Sequence, residues 1–154
     1  MMEAVNTEVR LCTEKNWEST LRTVLQEKGI SQLLYGSKTT LAEKLWNLCQ
    51  RAPDTMRELV DYQKPGEESK DFLFGIDASI ATTRGGIAET GSLILWTTPD
   101  EPRLMSLIPP IHLAIVYAGN IYNTFWEVVN TEKSNSSMPT NALLISGPFK
   151  TADI

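Results

Sequence analysis

The strongest constraint on this chain is the alternation, in its first half, of short apolar runs with segments of helical period. Asn16 precedes Trp17, Leu21, Val24 and Leu25, which share a helix face, and Gly29 stands where a helix ends. Ile30 to Tyr35 reads as a buried strand, punctuated by Gly36, Ser37 and Lys38. Thr39 or Thr40 then caps a second helix carrying Leu41, Leu45, Trp46 and Leu48 on one face, with Pro53 past its end. Glu58 to Tyr62 follows as a short strand, and Glu8 to Cys12 alternates as a first strand would. Strand and helix in turn demand right-handed crossovers, and so a parallel or mixed sheet. The expected fold is an α/β three-layer sandwich, with a mostly parallel central sheet and helices on both faces.

The second half carries a different pattern. Residues 71–154 hold four basic and eight acidic side chains, against ten and eleven in residues 1–70. Its few charges must be placed for a reason or stand at loop tips. Ser92 to Thr97, Ile111 to Tyr117 and Ala142 to Ile145 read as strands, the second with the clearest buried-strand pattern. Ile121 to Val129 reads as a helix with Ile121, Phe125, Val128 and Val129 on one face. Pro99 to Pro110 reads as irregular, and Lys64–Lys70 and Thr131–Thr140 as polar loops, the latter mobile.

Composition narrows the function. With 154 residues and 42% apolar side chains, the chain has the size of one domain with its own core. A net charge of −5 argues against a duplex nucleic-acid binder, which needs clustered cations to neutralise phosphates. Cys12 and Cys49 lie far apart, with no CxxC or Cys/His cluster, so no zinc or iron–sulfur site is expected. Both thiols are expected as small apolar fillers in a reducing compartment. The opening MMEAVNTEVR lacks the apolar core of a secretory signal, and no apolar stretch is long enough to span a bilayer. The expectation is a cytoplasmic protein without membrane contact.

Chemistry concentrates in Gly75–Val116. Glu89 stands in RGGIAETG, in an apolar context before a strand, where a desolvated carboxylate could act as base, nucleophile or anchor for a ligand hydroxyl, or simply accept backbone N–H bonds. Gly85–Gly86 permits close backbone approach or positive φ. Arg103, in the proline-flanked loop PDEPRLMS, could grip a carboxylate or phosphate, or pin that loop to Glu89 or Asp100. Arg84 could face a substrate anion. His112, the one histidine, could assist catalysis or serve as a hydrogen-bonded core residue. Asp77 could cap the next turn or line a pocket. Thr90 and Gly91 offer backbone donors near Glu89, and Ser146 could close the same pocket from a strand end. GxGxxG, Walker A and G-x-S-x-G are absent, so no nucleotide site or serine hydrolase is supported and no cofactor is expected.

Several separated motifs, in order, resemble the LUD domain of the lactate-utilisation protein C family. They are Gly75-Ile76, Asp77-Ala78-Ser79-Ile80, Gly86 to Ser92, Arg103 to His112, Ile145-Ser146-Gly147-Pro148 and Thr151 to Ile154. The resemblance implies a fold like the ribose-5-phosphate isomerase and coenzyme A transferase superfamily. It implies a component of bacterial oxidation of L-lactate to pyruvate, acting beside an iron–sulfur subunit and a cysteine-rich subunit, with a homodimer also compatible. Residues 1–154 then form a single LUD domain, shortened at both ends relative to the family. Three functions follow: a pocket for a small hydroxy or keto acid; an assembly subunit presenting exposed Met105, Leu107 and Ile108 to its partners; or an enzyme acting on a sugar phosphate or coenzyme A ester through Glu89.

Overall fold

The computed structural model describes residues 7–51, 58–62, 69–133 and 142–147. Its elements run α1 (Trp17–Glu27), β1 (Gln32–Tyr35), α2 (Thr40–Arg51), β2 (Glu58–Asp61), α3 (Ser69–Phe74), β3 (Ala78–Thr82), β4 (Gly85–Ile87), β5 (Ser92–Trp96), α4 (Arg103–Leu107), β6 (Ile111–Ile115), β7 (Ile121–Tyr122), α5 (Phe125–Lys133) and β8 (Ala142–Ile145). They build two four-stranded sheets, β2-β1-β3-β6 and β7-β4-β5-β8. The chain divides into two compact units that interleave in sequence: Arg10–Ala81 with Pro99–Ala114, and Met1–Val9 with Thr82–Thr98 and Ile115–Ile154.

The first unit carries the expected α/β pattern, a parallel sheet flanked by helices. β1 runs parallel to both β2 and β3, with Leu33 beside Leu59 and Ala78. Leu33 and Leu34 point to opposite faces of β1 and both are fully buried, so both faces of that strand are covered. Leu21 and Leu25 of α1 and Leu41, Ala42, Leu45 and Leu48 of α2 supply buried apolar surface. Leu34, Val60, Leu73, Ile76 and Met105 form one packed cluster, with Leu104 and Ile108 against it. Each such leucine contributes about 2 kcal/mol by leaving water.

The helix signals behave in detail. Gly29 takes φ +65° one residue past the Lys28 cap of α1, as the sequence requires. Thr39 Oγ1 accepts the Ala42 N–H at 3.3 Å, opening α2. Asn16 stands at the N-cap, but its Oδ1 accepts from the N–H and hydroxyl of Thr13, at 2.6 and 2.9 Å, instead of from helix N–H groups.

The second unit is a mixed sheet. β4 pairs antiparallel with β5 and parallel with β7, and β5 pairs antiparallel with β8. Ile87, Ile94 and Val128 of α5 form its core, with Trp96 and Tyr122 packed against them.

Several expectations are corrected. Glu8 to Cys12 is not a strand; its side chains are exposed, and a short alternating run that pairs with no strand among the described residues gains no ladder. Cys12 is exposed, so it fills nothing, while Cys49 is half-buried. Trp46 is 55% exposed at the edge of its helix face. Pro99 to Pro110 contains α4, whose start Pro102 presets. The residues of β6 are half-buried, not fully enclosed. The helix expected from Ile121 begins at Phe125, because Thr124 Oγ1 accepts the Glu127 N–H at 3.2 Å while Glu127 Oε2 accepts the Asn123 N–H at 2.7 Å. That reciprocal pair fixes the first turn, and Ile121–Tyr122 is released to pair with β4. Pro53, residues 64–68 of the first polar loop, residues 134–140 of the second, and residues 148–154 lie outside the described residues. Among the described residues no helix is long and apolar enough to cross a membrane.

Candidate functional site

The candidate residues divide between the two units. Arg84, Glu89, Thr90, Gly91 and Ser146 belong to the mixed-sheet unit, and Asp77, Arg103 and His112 to the parallel-sheet unit.

Glu89 is exposed, which corrects the expectation of a desolvated carboxylate. Ile87 pairs with Ser92, so residues 88–91 form the hairpin tip, and Gly91 closes it at φ +63°. A residue at such a tip projects into water whatever its neighbours' hydropathy. Its backbone is nevertheless fixed, since Ala88 and Glu89 donate to the carbonyls of Tyr122 and Asn123 at 2.8 and 3.1 Å. Thr90 Oγ1 donates to the buried Ser92 Oγ at 2.8 Å. The β5–β8 register pairs Leu93 with Ile145, and its next step sets Ser146 beside Ser92. One end of the mixed sheet therefore gathers Glu89, Thr90, Gly91, Ser92 and Ser146. Ser92 was not among the sequence candidates; inside SLILW it carries no signal beyond a small polar residue opening a strand.

Arg84 occupies the other end of the same hairpin. Its N–H donates to the Ile94 carbonyl at 2.8 Å, and its guanidinium lies over the Trp96 ring at 5.2 Å. At about 3.3 Å of rise per residue, Arg84 and Glu89 stand on the order of 15 Å apart. They do not form one cluster.

Asp77 is a clamp. Its Oδ2 accepts from the Ser31 N–H at 2.8 Å, the Ser31 hydroxyl at 2.9 Å and the Gln32 N–H at 2.9 Å. It thus ties the start of β1 to the start of β3, neither capping its own next turn nor standing at the carboxyl ends where parallel sheets bind ligands. The Gln32 N–H first, then the two donors of Ser31, hold its carboxyl below the usual value of 3.8. Because the native pKa is depressed, the clamp is fully present above pH 4 and is lost as pH falls through the lowered native value. Asp77→Asn should cost about 1–3 kcal/mol at pH 7. Urea titrations at pH 7 and pH 3 should find the difference from wild type shrinking in acid; an equal difference at both would sink the assignment.

His112 belongs to a buried relay. Ser79, fully buried, donates its hydroxyl proton to the Met105 carbonyl in a short hydrogen bond, and its oxygen lies 2.9 Å from His112 Nδ1. A serine hydroxyl has one proton, already given to Met105, so Nδ1 must carry the hydrogen and donate. Nε2 is then a lone-pair acceptor, closed off from solvent and unpartnered among the described residues. Burial lowers the pKa of His112 from 6.5 to about 4. This arrangement cannot deprotonate Ser79, because the serine proton points away from the imidazole. Ser79 was missed in the sequence, where DASIAT marks it only as a small residue in a buried strand.

Arg103 is exposed at the first residue of α4. Met105 is fully buried and Ile108 packs against the same core, which overturns the expectation that Met105, Leu107 and Ile108 form an exposed interface. A short helix turns these residues inward, where the sequence pattern suggested a loop. The large exposed apolar side chains of the mixed-sheet unit lie elsewhere, with Phe125 at 52% and Trp126 at 69% on α5.

The chain is 37% identical to an uncharacterized protein of Neisseria meningitidis serogroup B, over 99% of this chain and 65% of that one. It is 26% identical to lactate utilization protein C 1 of Bacillus mycoides, over 99% of this chain and 67% of that one. A DUF162 family protein of Deinococcus radiodurans, solved as a crystal structure, aligns with a TM-score of 0.48 at 19% identity, covering 88% of this chain and 91% of that one. The chain thus spans about two thirds of the length of the curated relatives it matches. The family model of the LUD domain matches residues 1–154, and the chain belongs to the LUD domain family.

Proposed function

We propose that this chain is a component of a bacterial L-lactate utilisation system and that it binds a small carboxylate, a hydroxy or keto acid. The observation that carries the reading is its relation, along almost its whole length, to a protein named for lactate utilisation. The hairpin end supports it chemically. Glu89 offers an accessible carboxylate to accept a ligand hydroxyl, with the Thr90 hydroxyl, the Gly91 backbone and Ser146 around it. Arg84, at the other end of the hairpin, and Arg103, in the other unit, are each exposed cationic groups of the kind that takes an acid. Asp77 instead ties the starts of β1 and β3 together, and His112 is bonded to the buried Ser79.

Calorimetric titration with L-lactate and pyruvate tests the reading. Saturable binding of at least one acid is expected. Glu89→Gln should weaken L-lactate about tenfold, because a charge-assisted bond from the hydroxyl is lost, and should leave pyruvate nearly unchanged. No binding of either acid by folded protein would remove the proposal. The exposed Phe125 and Trp126 favour a second reading, in which the chain is an assembly subunit seated against an iron–sulfur partner. Phe125→Ser with Trp126→Ser should then abolish co-purification with that partner while acid binding is untouched.

A further inference from the structure

From Leu104 to Trp126 the chain carries no Lys, Arg, Asp or Glu, its longest stretch without one. As far as Ile115 the reason is burial, since all these residues but Pro110 are buried or half-buried. From Val116 to Ile121, however, every residue is exposed, and Asn123, Phe125 and Trp126 are exposed after it. Tyr117, Ile121, Phe125 and Trp126 each show more than half of their surface. The segment is firmly held. Thr83 places both its N–H and its hydroxyl on the Ile115 carbonyl, at 3.0 and 2.8 Å, and Ala88 and Glu89 donate to the Tyr122 and Asn123 carbonyls. Between these anchors the Asn120 N–H returns to the Tyr117 carbonyl at 2.9 Å, and Ile121–Tyr122 pairs with β4 at the edge of the mixed sheet. An ordered, uncharged and aromatic ridge therefore stands in solvent along that edge. Loss of charge with gain of Tyr, Phe and Trp marks the centre of protein interfaces, and a ridge already ordered gives up little freedom on binding.

We infer that residues 116–126 are the interface of a homodimer, with a second copy of this chain as the occupant. Charge selects that occupant. At a net charge of −5 two copies repel, and this segment lets them meet without setting like charges against each other. Its polar side chains are self-complementary: the amides of Asn120 and Asn123 and the hydroxyl of Tyr117 each both donate and accept, as a twofold contact requires. A partner recognised by charge finds nothing in the segment to grip. Area agrees. Aromatic side chains present about 150–250 Å² each, so the exposed parts of Tyr117, Phe125 and Trp126, with Val116 and Ile121, come to on the order of 500 Å². Matched across a twofold axis, that is roughly 1,000 Å² in total, where specific interfaces begin. The inference goes beyond acid binding and does not depend on it. A second copy and a different partner seated on Phe125 and Trp126 exclude each other, and the test separates them.

The test is analytical ultracentrifugation of the full chain between about 1 and about 100 μM, a range that spans the association expected of so small an interface. Wild type should pass from 17.2 kDa to twice that mass as concentration rises. It should associate at least as tightly in about 0.5 M NaCl as in low salt, because screening removes only repulsion. Phe125→Glu and Tyr117→Glu each set a charge on the ridge, the first at a helix N-terminus that favours it. Each should weaken association at least about tenfold, with circular dichroism unchanged. Trp46→Glu, at an exposed tryptophan of the other unit, should associate as wild type does. A wild type that stays monomeric throughout overturns the inference, as does a dimer that survives both ridge charges or dissociates in high salt. A monomer that takes a different protein through Phe125 and Trp126 overturns it in favour of the assembly reading.

Discussion

Gly85→Ala should lower the thermal midpoint by roughly 6–12 °C, the shift expected for a loss of about 3 kcal/mol in a chain of this size. A Cβ added at this position would stand 2.2 Å from the Asn120 carbonyl oxygen and 3.0 Å from the Tyr122 ring. The first neighbour is backbone and cannot swing aside; it must retreat by about 1 Å, an overpacking cost at the upper end of the usual range. Gly85 and Asn120 flank the point where β4 and β7 begin to pair, so the strain falls on that ladder. Gly119→Ala is the matched control. Nothing lies within 4 Å of its added Cβ, and it should change stability by less than about 1 kcal/mol. Gly36→Ala repeats the experiment in the other unit, where the Asp100 carbonyl oxygen would be 2.4 Å away. Differential scanning calorimetry of the three variants checks both the size of the effect and whether the two units melt together. A Gly85→Ala protein as stable as wild type would refute the close approach.

The second large effect concerns acid. His112 is neutral in the folded chain down to about pH 4, whereas in the unfolded chain it takes a proton near 6.5. Between these values the unfolded state binds the extra proton, so stability rises with pH and falls on acidification. The limiting slope for one proton is about 1.4 kcal/mol per pH unit, a loss of about 3 kcal/mol across the window. Below pH 4 this contribution levels off, and the Asp77 clamp begins to fail, so the two groups act in successive ranges. His112→Phe should flatten the slope between pH 6.5 and 4. Ser79→Ala should cost about 2–4 kcal/mol at pH 7, because it strands both the Nδ1–H and the Met105 carbonyl in a buried place. Urea unfolding at half-unit pH steps reads both. Equal slopes in wild type and His112→Phe would contradict the buried neutral imidazole.

Much of the parallel-sheet unit was legible because its signals are local. Caps, a left-handed glycine and helical spacing bounded α1 and α2, and the run from Ile30 marked β1. β4 was hidden because Gly85-Gly86-Ile87 has poor strand propensity; what makes it a strand is pairing on both sides, with Leu93 and Ile121, which no local pattern contains. The Thr124–Glu127 capping pair was present in the sequence and outranked the apolar spacing that suggested an earlier helix start.

The candidate site was legible by residue type but not by place. Glu89 was read as buried because its neighbours are small and apolar, yet position in a turn, not neighbours, decides exposure. Asp77 and His112 were recognised as unusual, but their partners Ser31 and Ser79 lie 46 and 33 residues away, and only the fold brings them together. Trp96 lay inside the Ser92 to Thr97 strand run, and nothing in the sequence tied it to Arg84.

The interleaving of the two units has a consequence for how the molecule can be made and broken. β3 and β6 are neighbours in one sheet, yet the hairpin β4–β5 of the other sheet is strung between them. A growing polypeptide cannot finish its first sheet until it has already laid down half of its second. For the same reason no single scission separates the halves intact: a nick near Thr98 deprives one sheet of β6 and the other of β7 and β8, so neither fragment inherits a complete set of strands.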